Sequence, residues 1–432
     1  MPSPIRISKS RIEKDWQVLA GDIGERRAGT KSEQGAADFI QKRFQAAGCV
    51  VHQEPFPCKS LRSARVTVQV QKGKRWQKVE SRVLVGAPST NGPVEGPLVW
   101  LEMPEEAPLL KKGSLKGKIL ALFGPLPTNV AHHKALIAAN PLAVIHVDER
   151  LPFTWAKNDG VYPLWTQKYG VSTTVTVPYM EAWSWRRQGH NRVRVNVKVN
   201  VVDAQSQNVV AELPGSDPSL PAIVLSAHHD TQCNLPGADD NGSGVMCLLE
   251  LARALSKLKR KRTLRFISFG TEEQLSVASA AYVTAHRKEL KNVGLVVNFD
   301  SVASPVGHTF LYTAGSNALA EHTIRSLKRN GLHVAPKEDI SPFSDHFPFT
   351  AYGVPAIWFH RANFTGGKWN HHSVHDDLEN ASADPLVKIM SAVGPLVQQL
   401  ANSAKWPFTR GLPPTQKKQT EEWAKTLYGF KI

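Results

Sequence analysis

Residues 221–251 read PAIVLSAHHDTQCNLPGADDNGSGVMCLLEL, and the fold is decided there. The apolar run Ala222 to Ala227 has the length and composition of a buried strand. It ends in His228-His229-Asp230, and a loop of small, turn-forming residues leads to Gly237-Ala238-Asp239-Asp240-Asn241-Gly242-Ser243-Gly244. Val245, Leu248, Leu249, Ala252 and Leu255 then recur on one helical face. A strand therefore delivers a His at its carboxyl end, and an acidic loop enters a helix. Open α/β sheets carry their sites at that end of the strands. A His there can ligate a transition metal, and a carboxylate two residues on can hold the imidazole from behind.

Three later stretches repeat the pattern. Leu264 to Phe269 reads as a strand followed by Glu272-Glu273. Leu295 to Phe299 reads as a strand that Asp300 ends, and Ala356 to Phe359 as a strand with His371-His372 in the loop beyond. Alone, the Glu pair would be an acidic first turn of a helix, a common arrangement. Together, four apolar strands each lead to a His, Asp or Glu.

The ordered set HHD at 228–230, GADDNGSG at 237–244, TEEQLSVAS at 271–279, NFDS at 298–301, SDHFPF at 344–349 and HHSVHDDLEN at 371–380 carries a resemblance. It resembles the co-catalytic zinc exopeptidases of the aminopeptidase S and aminopeptidase Y type, from about residue 15 to about residue 403. The resemblance implies an α/β fold with a mixed, mostly parallel sheet between helices, and two zinc ions per chain. His228 and Asp300 would hold one ion, Glu273 and His372 the other, and Asp240 would bridge them. Glu272 would be the general base and Asp230 would orient His228. Zinc takes imidazole nitrogen and carboxylate oxygen, and a catalytic site keeps a position open for water. The implied reaction is hydrolysis of the N-terminal residue of a peptide by a metal-bridged hydroxide. Some relatives are carboxypeptidases, one is a single-zinc glutaminyl cyclase, and some are non-catalytic, receptor-like homologues. The complete ligand set argues for an enzyme over the last of these. Manganese or cobalt could stand in for zinc.

Two positions depart from the family pattern. Gln274-Leu275-Ser276 stand where relatives usually carry a Gly. His371 stands where relatives often carry a Tyr, so His371 is expected either to donate to the oxyanion in its place or to face solvent. His229 is expected to point away from the metals, because strand neighbours alternate faces. His346 is expected behind the site, and His375 at the surface.

The 432 residues suffice for two or three domains, with 41% hydrophobic and 21% charged residues, an ordinary globular composition. The expected organisation is an N-terminal peptidase part at 1–92, an inserted domain at 93–205, the metal-bearing peptidase part at 206–405 and a tail at 406–432. The insertion, with GSLKGKILALFG, PLAVIHV and TVPYMEAW, resembles the β-rich protease-associated domain. His132-His133 within it face different ways on a helix, so no metal pair is expected. Near the start, Glu33 to Ala47 reads as an amphipathic helix capped by Ser32, with Arg26 and Arg27 as surface charges before it. Pro214 to Pro218 reads as a hairpin turn, and Thr420 to Leu427 as a short surface helix.

No apolar run is long enough to span a membrane. The first residues lack a secretory signal, which points to the cytoplasm, or to secretion if a leader has been removed. Cys49, Cys58, Cys233 and Cys247 lack C-x-x-C spacing and are expected reduced, two of them buried. The net charge is +16, with the basic residues scattered apart from Lys257 to Arg262, expected as a solvated helix end. No nucleic-acid fold signature accompanies it, so the expected partners are peptides. Nothing in the sequence fixes the oligomeric state.

Overall fold

Strands that are apolar on both faces belong in the interior of a sheet, covered on both sides. In the computed structural model, which describes residues 5–123, 129–148, 155–157, 159–362 and 370–432, such strands are central. The chain divides into two compact units, one of Met1–Ser60 with Asp203–Ile432, the other of Leu61–Val202.

The larger unit contains, in chain order, helices α1 (Lys9–Trp16) and α2 (Lys31–Ala46), strand β1 (Arg192–Leu213, whose end lies in this unit), β2 (Ala222–His228), α3 (Gly244–Ser256) and β3 (Leu264–Phe269). There follow α4 (Val277–Ala285), β4 (Val293–Phe299), β5 (His308–Ala314), α5 (Asn317–Arg329), β6 (Ala335–Lys337), α6 (His346–Ala351), β7 (Ala356–Ala362), α7 (Ala383–Asn402) and α8 (Pro414–Trp423). The strand order is β6-β5-β7-β4-β2-β3-β1. β7, β4, β2 and β3 are parallel neighbours, while β5 and β1 run antiparallel on either side. The sheet is thus mixed and mostly parallel at its centre, as expected.

Alternation along these strands builds two cores. Ile223, Leu225, Leu295, Val297, Ile357 and Phe359 face one layer with residues of α1, α2, α3, α5 and α7. Val224, Val296 and Ala356 face the other, with Tyr282 of α4, Phe347 and Phe349 of α6 and Ala424 near the C-terminus.

Several local expectations change. Pro214 to Pro218 is not a hairpin turn: β3 lies between β1 and β2, so that loop crosses over a neighbour. The α2 cap is Thr30, whose Oγ1 accepts the Glu33 N–H at 3.3 Å, in place of Ser32. Arg262 is buried, donating to the carbonyls of Pro221, Ser403 and Ala404. All four cysteines are buried, and none forms a disulfide among the described residues. The tail is packed: Tyr428 Oη donates to the Pro342 carbonyl at 2.6 Å and its ring stacks on Phe347 at 5.2 Å.

The smaller unit begins at Leu61, earlier than the expected residue 93. Its strands Val94–Leu101, Ile119–Phe123, Ala143–Val147 and Thr174–Val177 are successive parallel neighbours, joined with helices Val130–Ala139 and Tyr179–Gln188. Ile119, Ile145, Val175 and Trp185 form its core. Among the described residues, no helix is long and apolar enough to cross a membrane.

Candidate metal centre

Four parallel neighbours bring four carboxyl ends to one edge. His228 is the last residue of β2 and pairs in register with Phe269 of β3. Glu272 and Glu273 follow β3, and Asp300 follows β4. His228 Nε2 lies 3.2 Å from Asp240 Oδ1, 3.8 Å from Glu272 Oε2 and 3.9 Å from Asp300 Oδ1. His372 Nε2 lies 3.0 Å from Glu273 Oε2 and 3.4 Å from Asp240 Oδ2. One oxygen of Asp240 therefore faces each group.

Metal–ligand bonds of about 2.0–2.2 Å set the ligand atoms of a tetrahedral ion roughly 3.3 Å apart. The separations across both groups fall around that value. The donor atoms of His228, Asp240 and Asp300 lie within 4.8 Å of one another, as do those of Asp240, His371 and His372. Nitrogen and carboxylate donors at this spacing suit zinc. His371 Nδ1 lies 2.6 Å from Asp240 Oδ2, and its ring stacks on His372 with centroids 3.6 Å apart. The side chain expected as an oxyanion donor thus rests against the carboxylate that faces both groups.

Polar bonds hold His228, Asp300 and the Glu272-Glu273 turn from behind. Asp230 Oδ1 lies 3.4 Å from His228 Nδ1 and accepts the Glu272 N–H at 2.9 Å, while Oδ2 accepts the Glu273 N–H at 3.3 Å. One carboxylate thus orients the imidazole and fixes the turn that presents both Glu residues. Ser344 Oγ donates to Asp300 Oδ2 at 2.7 Å and accepts from Asn298 Nδ2 at 2.7 Å. Asn298 Oδ1 in turn accepts from Ser226 Oγ at 2.7 Å. Gly237, with φ +57°, starts the acidic loop; a Cβ there would come within 2.3 Å of Thr231 Cγ2. Leu275 adopts φ +67°, a conformation that costs a non-glycine residue about 1–2 kcal/mol.

His229 turns away, with Nδ1 3.0 Å from Ser268 Oγ and Nε2 3.3 Å from Glu33 Oε1. Two positions emerge that sequence patterns did not single out. Asp376 accepts the N–H groups of Asp239 at 2.7 Å and Asp240 at 2.9 Å, so it shapes the turn presenting Asp240. Its only signal was membership of the HHSVHDDLEN stretch. Arg26, expected at the surface, is fully buried. Its guanidinium is surrounded by backbone carbonyls from distant segments, which no local pattern reports.

The charges are strongly coupled. Burial pushes the Glu272 carboxyl well above the usual range; His228 opposes this, while Asp345, Asp300 and Glu273 add to it. Burial also raises Glu273, against the pull of His372. Burial depresses His372, but Glu273 and Asp240 outweigh it and lift the imidazole to about 10. These shifts belong to the protein with protons alone, and a divalent cation inverts that balance.

The sequence profile of peptidase family M28 matches residues 208–397, which span all the donors above. Over these residues the chain is similar to peptidase family M28. Aminopeptidase YwaD of Bacillus subtilis is 29% identical over 233 residues, covering 52% of this chain and 50% of the relative. The chain thus spans about half the length of this curated relative. Among solved structures, an aminopeptidase from Aneurinibacillus sp. strain AM-1 is similar at a TM-score of 0.72 and 26% identity, covering 93% of this chain and 95% of that one. The zinc aminopeptidase BSAP of Bacillus subtilis shares the fold at a TM-score of 0.74 and 22% identity, covering 95% and 99%.

Proposed function

We propose that the protein is a metallo-aminopeptidase that uses two zinc ions to remove the N-terminal residue of peptides. The observation that carries this reading is the meeting of two donor groups on the two oxygens of Asp240. His228 and Asp300 would hold one ion, Glu273 and His372 the other, with Asp240 between them. Bound zinc supplies Lewis acidity and lowers the pKa of water toward about 7.

The remaining steps belong to the chain's own side chains. Glu272 stands 3.8 Å from His228 Nε2, at the meeting of the two donor groups. A carboxylate there would accept a proton from the attacking water and return it to the leaving amine. Asp230 keeps His228 and the Glu272-Glu273 turn in mutual register. His371 serves in this reading as the donor to the developing oxyanion. The unit at Leu61–Val202 is proposed to be an inserted protease-associated domain that contributes no catalytic residue.

The test is hydrolysis of a panel of aminoacyl chromogenic amides with free and acetylated N-termini, with and without chelator, beside Glu272→Ala. Chelator-sensitive cleavage of only the free-amine substrates, lost in the variant, is expected. Cleavage of blocked peptides from the carboxyl end would replace the aminopeptidase by a carboxypeptidase. Absence of both activities in zinc-loaded protein would defeat the enzyme reading.

A further inference from the structure

A guanidinium offers five N–H donors in a rigid fork and no acceptor, so burying one demands a matched set of acceptors. Arg26 meets that demand with the backbone. Its Nε donates to the His229 carbonyl at 2.7 Å. Nη1 donates to the carbonyls of Gly24 and Pro236, each at 2.6 Å, and of Leu19 at 3.3 Å. Nη2 donates to the Gly237 carbonyl at 2.8 Å. The main chain joins in: Arg26 N–H donates to Thr231 Oγ1 at 2.9 Å, and the Arg26 carbonyl accepts from Thr231 N–H at 3.2 Å.

These acceptors have a common meaning. His229 follows the donor His228 directly, and Pro236-Gly237 lead into the turn that carries Asp240. One side chain therefore ties both ends of the loop separating His228 from Asp240. The loop's composition, Thr231-Gln232-Cys233-Asn234-Leu235-Pro236, gives no helix or strand ladder to fix that span. Electrostatics act in the same direction. Burial pulls Arg26 down to about 10, which leaves it a cation near neutral pH, and the carboxylates of Asp376, Asp230, Glu273 and Asp240 hold it up. A fixed positive charge beneath converging carboxylates offsets their mutual repulsion, which would otherwise splay the donors apart.

We propose that Arg26 is a positioning residue for the metal centre: it fixes the span between His228 and Asp240, so that the donor set is assembled before a divalent cation arrives. This rests on the metal-centre reading above. A donor set that must be assembled during binding pays that ordering out of its metal affinity. Loss of Arg26 therefore weakens zinc binding in a protein that still folds, whereas a stability defect elsewhere does not. Lysine is no substitute, because a point charge on a flexible stem cannot reach carbonyls on both sides of the loop.

The experiment compares purified full-length wild type, Arg26→Met, Arg26→Lys, Thr231→Val and Leu396→Ala. Leu396 is wholly buried in α7, so its truncation loses stability without touching the loop. Zinc affinity is measured by competition with a fluorescent chelator, and the donor environment by the visible spectrum of the cobalt-loaded protein. Both Arg26 variants are expected to bind zinc about 10–100-fold more weakly, the range seen when outer partners of metal ligands are lost. Their cobalt spectra should shift, while Leu396→Ala keeps wild-type affinity and spectrum. Thr231→Val, which removes one acceptor, should weaken zinc roughly threefold and decides the matter if the Arg26 variants do not fold. Zinc affinity within twofold of wild type in any folded Arg26 variant, or unchanged in Thr231→Val, overturns the proposal. Wild type that takes up no zinc instead defeats the metal-centre reading, and this proposal with it.

Discussion

Replacing Asp376 by Ala tests how the turn bearing Asp240 is held. The Asp376 carboxylate accepts two backbone N–H bonds, from Asp239 at 2.7 Å and Asp240 at 2.9 Å. Hydrogen bonds to a charged group contribute about 1.5–3 kcal/mol each, so two amount to roughly 3–6 kcal/mol. Burial, and the neighbouring Asp239 and Asp240, push the Asp376 carboxyl well above the usual range, so part of that gain is spent on desolvation and repulsion. A net loss of about 3 kcal/mol is expected for Asp376→Ala, which leaves buried N–H groups unpaired. Asp376→Asn keeps one carbonyl acceptor and removes the repulsion, so it should lose only about 1 kcal/mol. Urea unfolding of the metal-free protein, followed by circular dichroism, reads both. An Ala variant within about 0.5 kcal/mol of wild type, or an Asn variant less stable than the Ala variant, would refute the reasoning.

Three further outcomes are expected. Burial lowers the His346 imidazole, stacked 5.2 Å from Trp358, from 6.5 to about 4, against the pull of Asp300. Its folded pKa lies below its unfolded value, so the stability it supports is complete above pH ~6.5 and is lost as pH falls toward ~4, by about 3 kcal/mol. His346→Phe should flatten the acid limb of the urea midpoint against pH, and an unaltered limb would remove His346 from the account. Tyr428→Ala should lose about 2 kcal/mol and Tyr428→Phe about 1 kcal/mol, since the first removes the stack on Phe347 and the second only the bond to Pro342. Equal midpoints for both and wild type would show that the tail does not brace α6. With all four cysteines buried and Cys49 raised to about 11 by burial, a disulfide reagent at pH 8 should titrate the thiols only slowly until the protein is unfolded. A rapid full equivalent in the native protein would contradict their burial.

Much of the site is legible in the sequence because its chemistry is local. Parallel interior strands appear as unbroken apolar runs, and Ala222–His228 and Val293–Phe299 are buried at every position. Their ends carry His228 and Asp300, and the type of residue standing there does not depend on what lies beside it. The placement of His371 was not legible: its residue type suits a donor, but its position against Asp240 brings together residues far apart in the chain.

The sequence by itself determined which segments are strands and that acidic and imidazole side chains follow them, residue types that suit a metal. Tertiary structure alone decided that β3 separates β1 from β2, that Asp376 holds the Asp240 turn, and that Arg26 is buried. The physical reason is separation along the chain. Arg26 meets the His229 carbonyl across 203 positions, and Asp376 meets Asp240 N–H across 136. A charged side chain becomes interior only when distant backbone groups converge to satisfy it, and periodicity within a window of a dozen residues carries no record of that convergence.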